Sequence, residues 1–166
     1  MFDLKRISAD GVGAALGKAE RYRLLNQPWQ AESICLDVLE LEPGNQAALI
    51  SLLLAITDQL RSGGAPRGGD ATALIPRLDG KYARAYYHGI IWERKATALL
   101  RGGSPGWGAV AYQHLRRAMD CYDEAMELSP SGDDSAIIRW NSCARFIMNH
   151  DEVKELPPGR ESTLLE

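Results

Sequence analysis

Ala31-Glu32-Ser33-Ile34-Cys35-Leu36-Asp37-Val38-Leu39-Glu40-Leu41-Glu42-Pro43 and Ala118-Met119-Asp120-Cys121-Tyr122-Asp123-Glu124-Ala125-Met126-Glu127-Leu128-Ser129-Pro130 share one pattern. Ala31, Cys35, Val38 and Pro43 are spaced four, three and five, and so are Ala118, Tyr122, Ala125 and Pro130. Steps of four and three keep side chains on one face of a helix. A small residue there lets a second helix approach closely. Larger residues a turn further on fill the groove, and proline stops the helix before the next unit.

Working outward, helical periodicity continues and strand alternation does not. A first helix is expected from Asp10 to Leu25, broken by Asn26-Gln27-Pro28. Pro28 suits the first turn of a second helix, which runs to Glu42. Asn45 is placed to cap a third helix ending near Leu60. Residues 62–69 hold five Gly or Pro in eight and read as a mobile loop, the core of a Gly-rich insertion spanning 62–80. Within it, Ala71 to Leu78 forms at most a short helical turn. A long fourth helix is expected from Lys81 to Leu100, and a fifth from Ser104-Pro105 to Leu128. Asp133 is placed to cap a sixth, which ends near Met148. The charged tail 151–166, with Pro157-Pro158, is expected to be flexible.

At the repeated residues the chain resembles the tetratricopeptide repeat superfamily. Ala19 and Tyr22 stand at the small and aromatic contacts of a first helix, and Gly89 and Trp92 at those of another. Leu49, Leu52 and Ile56 can begin the unit between. The resemblance covers about residues 9–149 and implies an all-α fold: antiparallel helical hairpins stacked as a short right-handed superhelix, with about six main helices, in one domain over 1–150. The two matched second helices are 87 residues apart, 19 more than two regular 34-residue steps. The insertion, the long fourth helix, or both account for the excess.

Composition agrees with this class. The chain has 166 residues, 45% of them hydrophobic and 25% charged, and a net charge of −3. That balance argues against nucleic acid as a partner. The apolar run Ala47–Ile56 is half of a membrane span, and the N-terminus lacks the apolar segment of a signal peptide. A cytoplasmic protein with no membrane partner is the expectation. Cys35, Cys121 and Cys143 are scattered through apolar-periodic stretches and read as buried thiols.

Chemical motifs are sparse. Gly11-Val12-Gly13-Ala14-Ala15-Leu16-Gly17-Lys18 fails the spacing of both phosphate-binding loops. His88, His114 and His150 follow no metal-ligand pattern, so no metal or cofactor and no catalytic residue is assigned. Two polar-aromatic runs stand out, Tyr86–Lys95 and Asp133–Arg145. Trp and Arg are frequent binding anchors. Either Trp140 packs on the preceding helix while Arg139 or Arg145 pairs with acids, or these residues form a binding surface. Trp107, between Gly106 and Gly108, either plugs the core or marks a contact.

The resemblance implies that Leu16, Glu20, Arg23, Ile50, Leu54, Thr57, Tyr86, Ile90 and Glu93 face the concave side. The carboxylate clamp of some members is missing, because Leu16, Glu20, Ser51, Asp134 and Ile138 stand at its places. The expected function is a non-catalytic adaptor that binds a protein or peptide. Its candidate contacts are Glu20, Arg23, Tyr86, Trp92, Glu93, Arg139, Trp140 and Asn141. The alternative is a ligand-binding or catalytic domain with a pocket between the fourth and sixth helices, using His88, Trp92, Glu93, Arg139 and Asn141. A homodimer through the fourth helix or Trp107 is a third expectation, since a short array leaves ends to cover.

Overall fold

The computed structural model describes residues 2–60, 70–102 and 105–155. Its secondary structure is helical throughout, with no strand among the described residues. The α-helices are α1 (Val12–Leu24), α2 (Pro28–Leu41), α3 (Gln46–Leu60), α4 (Lys81–Gly102), α5 (Trp107–Leu128) and α6 (Ser135–Met148). Short 3-10 segments cover Ala9–Gly11 and Ala71–Arg77. The chain divides into two compact units, Met1–Asp79 and Gly80–Glu166.

Local chemistry sets most boundaries. Pro28 opens α2, where its missing N–H costs nothing. Asn45 caps α3, its Oδ1 accepting from the Ala48 N–H at 2.9 Å. Asn26 takes a left-handed φ of 56° in the α1–α2 turn, a conformation Asn tolerates. The sixth helix begins two residues after its expected cap. The Asp133 carboxylate still accepts from the Ser135 N–H at 3.0 Å. The fifth helix starts at Trp107 rather than at Pro105, because Gly106 turns the chain with φ 79°. Ser104, the insertion core 62–69 and residues 156–166 lie outside the described residues.

In the first unit α2 packs against both α1 and α3. Ala19, Ala31, Cys35, Val38, Leu49 and Leu53 are fully buried there. Each large apolar side chain contributes roughly 1.5–3 kcal/mol by burial. The segment Ala71–Arg77 packs on α3, burying Ala71 and Leu74, with Leu78 just beyond it. Asp70 caps it by accepting from the Thr72 N–H at 3.0 Å. Arg77 Nη2 donates to the Pro43 carbonyl at 2.9 Å, and the Asp79 N–H donates to Gln46 Oε1 at 2.9 Å. This piece therefore covers α3 without pairing with it as a full helix.

In the second unit α5 packs against both α4 and α6. Ile91, Leu115, Ala118, Tyr122 and Ala125 are buried at these contacts. Gly89 and Ala118 are 29 residues apart, whereas Ala19 and Ala31 are 12 apart. The helices that carry the second pair are correspondingly longer, α4 and α5 having 22 residues each against 13 and 14 in α1 and α2. Gly89 meets the Tyr122 ring so closely that a Cβ would lie 2.6 Å from ring carbon Cε1. Ordered packing also extends past the expected end of the domain at residue 150. Val153 is buried, and the Glu152 carbonyl sits where a Cβ on Gly108 would stand.

Candidate functional site

In each unit, the residue after the first-helix aromatic bridges to the third helix. In the first unit it is Arg23, following Tyr22 on α1. Its Nε donates to Asp58 Oδ2 on α3 at 2.8 Å, and both side chains are largely covered. In the second unit it is Glu93, following Trp92 on α4. Arg139 Nη1 of α6 donates to Glu93 Oε1 at 3.2 Å. Tyr122 Oη of α5 donates to Glu93 Oε2 at 2.7 Å. One carboxylate thus ties all three helices of the unit together.

Tyrosines frame this carboxylate. The Tyr86 ring lies 6.0 Å from that of Tyr122 and stacks on Tyr82 at 5.7 Å with 12° between planes. Tyr82 Oη donates to Asp133 Oδ2 at 2.9 Å, joining the start of α4 to the turn before α6. Burial, with the Asp133 hydrogen bond, pushes the Tyr82 phenol up to about 12. Burial and the nearby Glu93 charge push Tyr122 far up as well. Burial opposes the charge on Arg139, but Glu93, a hydrogen bond with Tyr86 and the nearby Tyr122 together outweigh it, and the pKa is raised. Asp133 is held below the usual carboxylate range, chiefly by hydrogen bonds from Ser135 and then from Tyr82. Tyr82 and Tyr122 therefore stay protonated donors and Arg139 stays a cation near neutral pH.

The expected contact residues fall into separate groups. Tyr86, Glu93 and Arg139 come together. Trp92 does not join them, because consecutive helix positions are turned about 100° apart. Its Nε1 donates to His88 Nε2 at 3.1 Å, and its ring lies 5.1 Å from that of His114. Lys95 and Arg117 lie 4.8 and 4.7 Å from its centroid, within cation–π range. Burial lowers the His114 pKa, and the Arg117 and Lys95 charges add to this. Trp140 and Asn141 are part-buried on α6, with Trp140 Nε1 buried and unpaired. Glu20 is exposed on α1. Thr57 and Ile90, expected on the concave side, are buried. The five residues considered for one pocket between α4 and α6 do not converge: Glu93 and Arg139 meet, His88 and Trp92 pair with each other, and Asn141 lies two residues beyond Arg139.

Sequence reading missed three partners in this network: Tyr82, Asp133 and Tyr122. Tyr122 was visible as a repeat position, but its hydroxyl partner lies 29 residues away on another helix. The sequence reading also missed a buried pair in the first unit, where Gln59 Nε2 donates to Glu32 Oε2. Cavities of about 360 and 430 Å³ flank the N-terminal segment and α2, and none of the expected contact residues lines them. Among the described residues there is no group of His, Cys, Asp and Glu able to hold a metal, and no helix long and apolar enough to cross a membrane. No protein-family model, curated protein or solved structure matches the chain.

Proposed function

We propose that the protein is a non-catalytic recognition module, of the tetratricopeptide-like kind and acting in the cytoplasm, that binds a peptide or protein segment on the surface formed by α4 and α6. The observation that carries this reading is the part-exposed cluster of Tyr82, Tyr86, Glu93 and Arg139, held from beneath by Tyr122. Tyrosine and arginine dominate binding energies where they are rigid, because little entropy is lost when a partner docks. Stacking fixes the tyrosines here, and the ion pair fixes the guanidinium. The same bonds weigh against catalysis. Glu93 already holds two donors, and Tyr82 and Tyr122 keep their protons.

The test is capture by the immobilised full chain, comparing wild type with Tyr86→Ala and Arg139→Glu and identifying retained proteins by mass spectrometry. Proteins held by the wild type should be lost from both variants while helical content persists. Equal retention by all three would refute the assignment. Arg23→Glu is a poor probe of binding, because it breaks the Arg23–Asp58 ion pair.

A further inference from the structure

Trp92 gathers basic groups from two helices. His88, Trp92 and Lys95 follow one another on α4 at steps of four and three, so they share a face to which Glu93 does not belong. His114 and Arg117 stand three apart on α5 and meet that face. Lys95 and Arg117 both lie against the one indole ring, 4.8 and 4.7 Å from its centroid, and the His114 ring is 5.1 Å away. Arg117 is exposed, while Lys95, Trp92 and His114 are half-buried.

Like charges crowded against one ring repel, and a surface of one sign draws counter-ions to it. The acids of these two helices do not relieve the crowding at Arg117. Glu93 turns to Tyr122 and Arg139, and Asp120, one turn beyond Arg117, forms no ion pair with it. Burial first, and then the Arg117 and Lys95 charges, hold the His114 pKa below the ordinary histidine value; no carboxylate is among the groups that act on it. His114 Nδ1 is also buried with no hydrogen-bond partner. A buried nitrogen in that position is less costly as a bare acceptor than as an orphaned N–H, which puts the proton of the neutral ring on Nε2. Nε2–H is then a donor beside two cations.

We propose that this cluster binds a phosphate monoester, held by the Arg117 guanidinium, the Lys95 ammonium and the His114 Nε2–H at the edge of the Trp92 ring. Charge selects the ligand. A phosphate monoester carries about −1.5 to −2 near pH 7, which two cations balance, whereas a carboxylate would leave one of them uncompensated. The planar guanidinium matches two phosphate oxygens, and the ammonium acts as a point charge on a third. Contact with the indole already restrains both basic side chains, so less freedom is lost when the anion docks. The site shares no contact residue with the α4–α6 surface and stands independently of the function proposed for it.

The test is an NMR titration of the full chain with inorganic phosphate, at an ionic strength held constant with chloride, reading the His114 ring protons and the Trp92 indole N–H. Both should shift saturably, and the His114 pKa should rise, because a bound anion favours the imidazolium. Arg117→Gln and Lys95→Gln should each weaken binding by about tenfold, as for a lost hydrogen bond to a charged group, and Lys95→Arg should retain it. Circular dichroism confirms that each variant folds; Arg117→Gln alters an exposed side chain and decides alone if Lys95→Gln does not fold. Glycerol phosphate and a phosphoserine peptide then separate the sources of the group. Equal binding assigns it to a small phosphate ester, and tighter binding of the peptide assigns it to a modified protein chain. Phosphate that shifts His114 no more than chloride does overturns the proposal. So does acetate that binds as well as phosphate, or undiminished binding by Arg117→Gln.

Discussion

Gly89→Ala isolates the close packing that builds the second unit. In an exposed helix interior this change is favourable by about 1 kcal/mol, because alanine has less backbone entropy to lose. At Gly89 the new methyl would stand 2.6, 2.8 and 2.9 Å from Tyr122 carbons Cε1, Cδ1 and Cζ. The Tyr122 ring is rigid and fully buried, and its hydroxyl is bonded to Glu93, so it has little room to yield. Overpacking of this kind costs about 1–3 kcal/mol, occasionally more, and the short distances place Gly89 at the upper end. The net expectation is a loss of about 1–2 kcal/mol, which lowers Tm by about 2–8 °C for a chain of this length. Gly17→Ala is the internal control. It also sits within a helix, but nothing lies within 4 Å of the added carbon, so it should raise Tm by about 2–4 °C. Thermal unfolding followed by circular dichroism reads both. Tyr122→Leu in the Gly89→Ala background should show coupling, with the pair less destabilised than the sum of its parts. Equal stabilisation by the two glycine substitutions would refute the close-packing argument.

Three further outcomes follow from the same geometry. Tyr122→Phe removes the 2.7 Å hydrogen bond to Glu93 and keeps the ring, so it should cost about 1–3 kcal/mol in urea unfolding, as for a hydrogen bond to a charged group; no loss would mean that water replaces the hydroxyl at no cost. His114 should titrate below the ordinary histidine value in proton NMR. Its neutral form is favoured in the folded state, so its contribution to stability is present above pH about 6.5 and is lost as pH falls; titration at or above that value contradicts the burial argument. Cys35, Cys121 and Cys143, with thiols pushed up to about 11, 11 and 12 by burial, should react slowly with a disulfide reagent at pH 8 and rapidly after denaturation; a fast-reacting thiol in the folded chain would contradict it.

The helical class and the approximate extent of every α-helix were legible in the sequence, because their signals act within a turn or two. Pro28 starting α2, Asn45 capping α3 and Asp133 bonding to Ser135 are all local interactions. The buried small residues Ala19, Ala31, Gly89 and Ala118 were legible for a related reason. Close helix contact demands small volume at fixed spacing, and volume is a property of the residue alone. The start of α5 was misplaced, because it depends on the left-handed turn at Gly106 rather than on Pro105.

Direction and partnership were decided only by the tertiary structure. Trp92 and Glu93 are neighbours in sequence, yet one turns to His88 and His114 while the other gathers Tyr122 and Arg139. Val153, in a segment read as tail, is buried, and the Glu152 carbonyl rests against Gly108. Asn141 and Arg139, two positions apart on α6, fall on different stripes of that helix. A carboxylate does not encode which distant donor will meet it, since any cation of the right reach would satisfy the same charge. That choice depends on helix packing, and packing depends on the shapes of side chains 29 and 46 residues away in the chain.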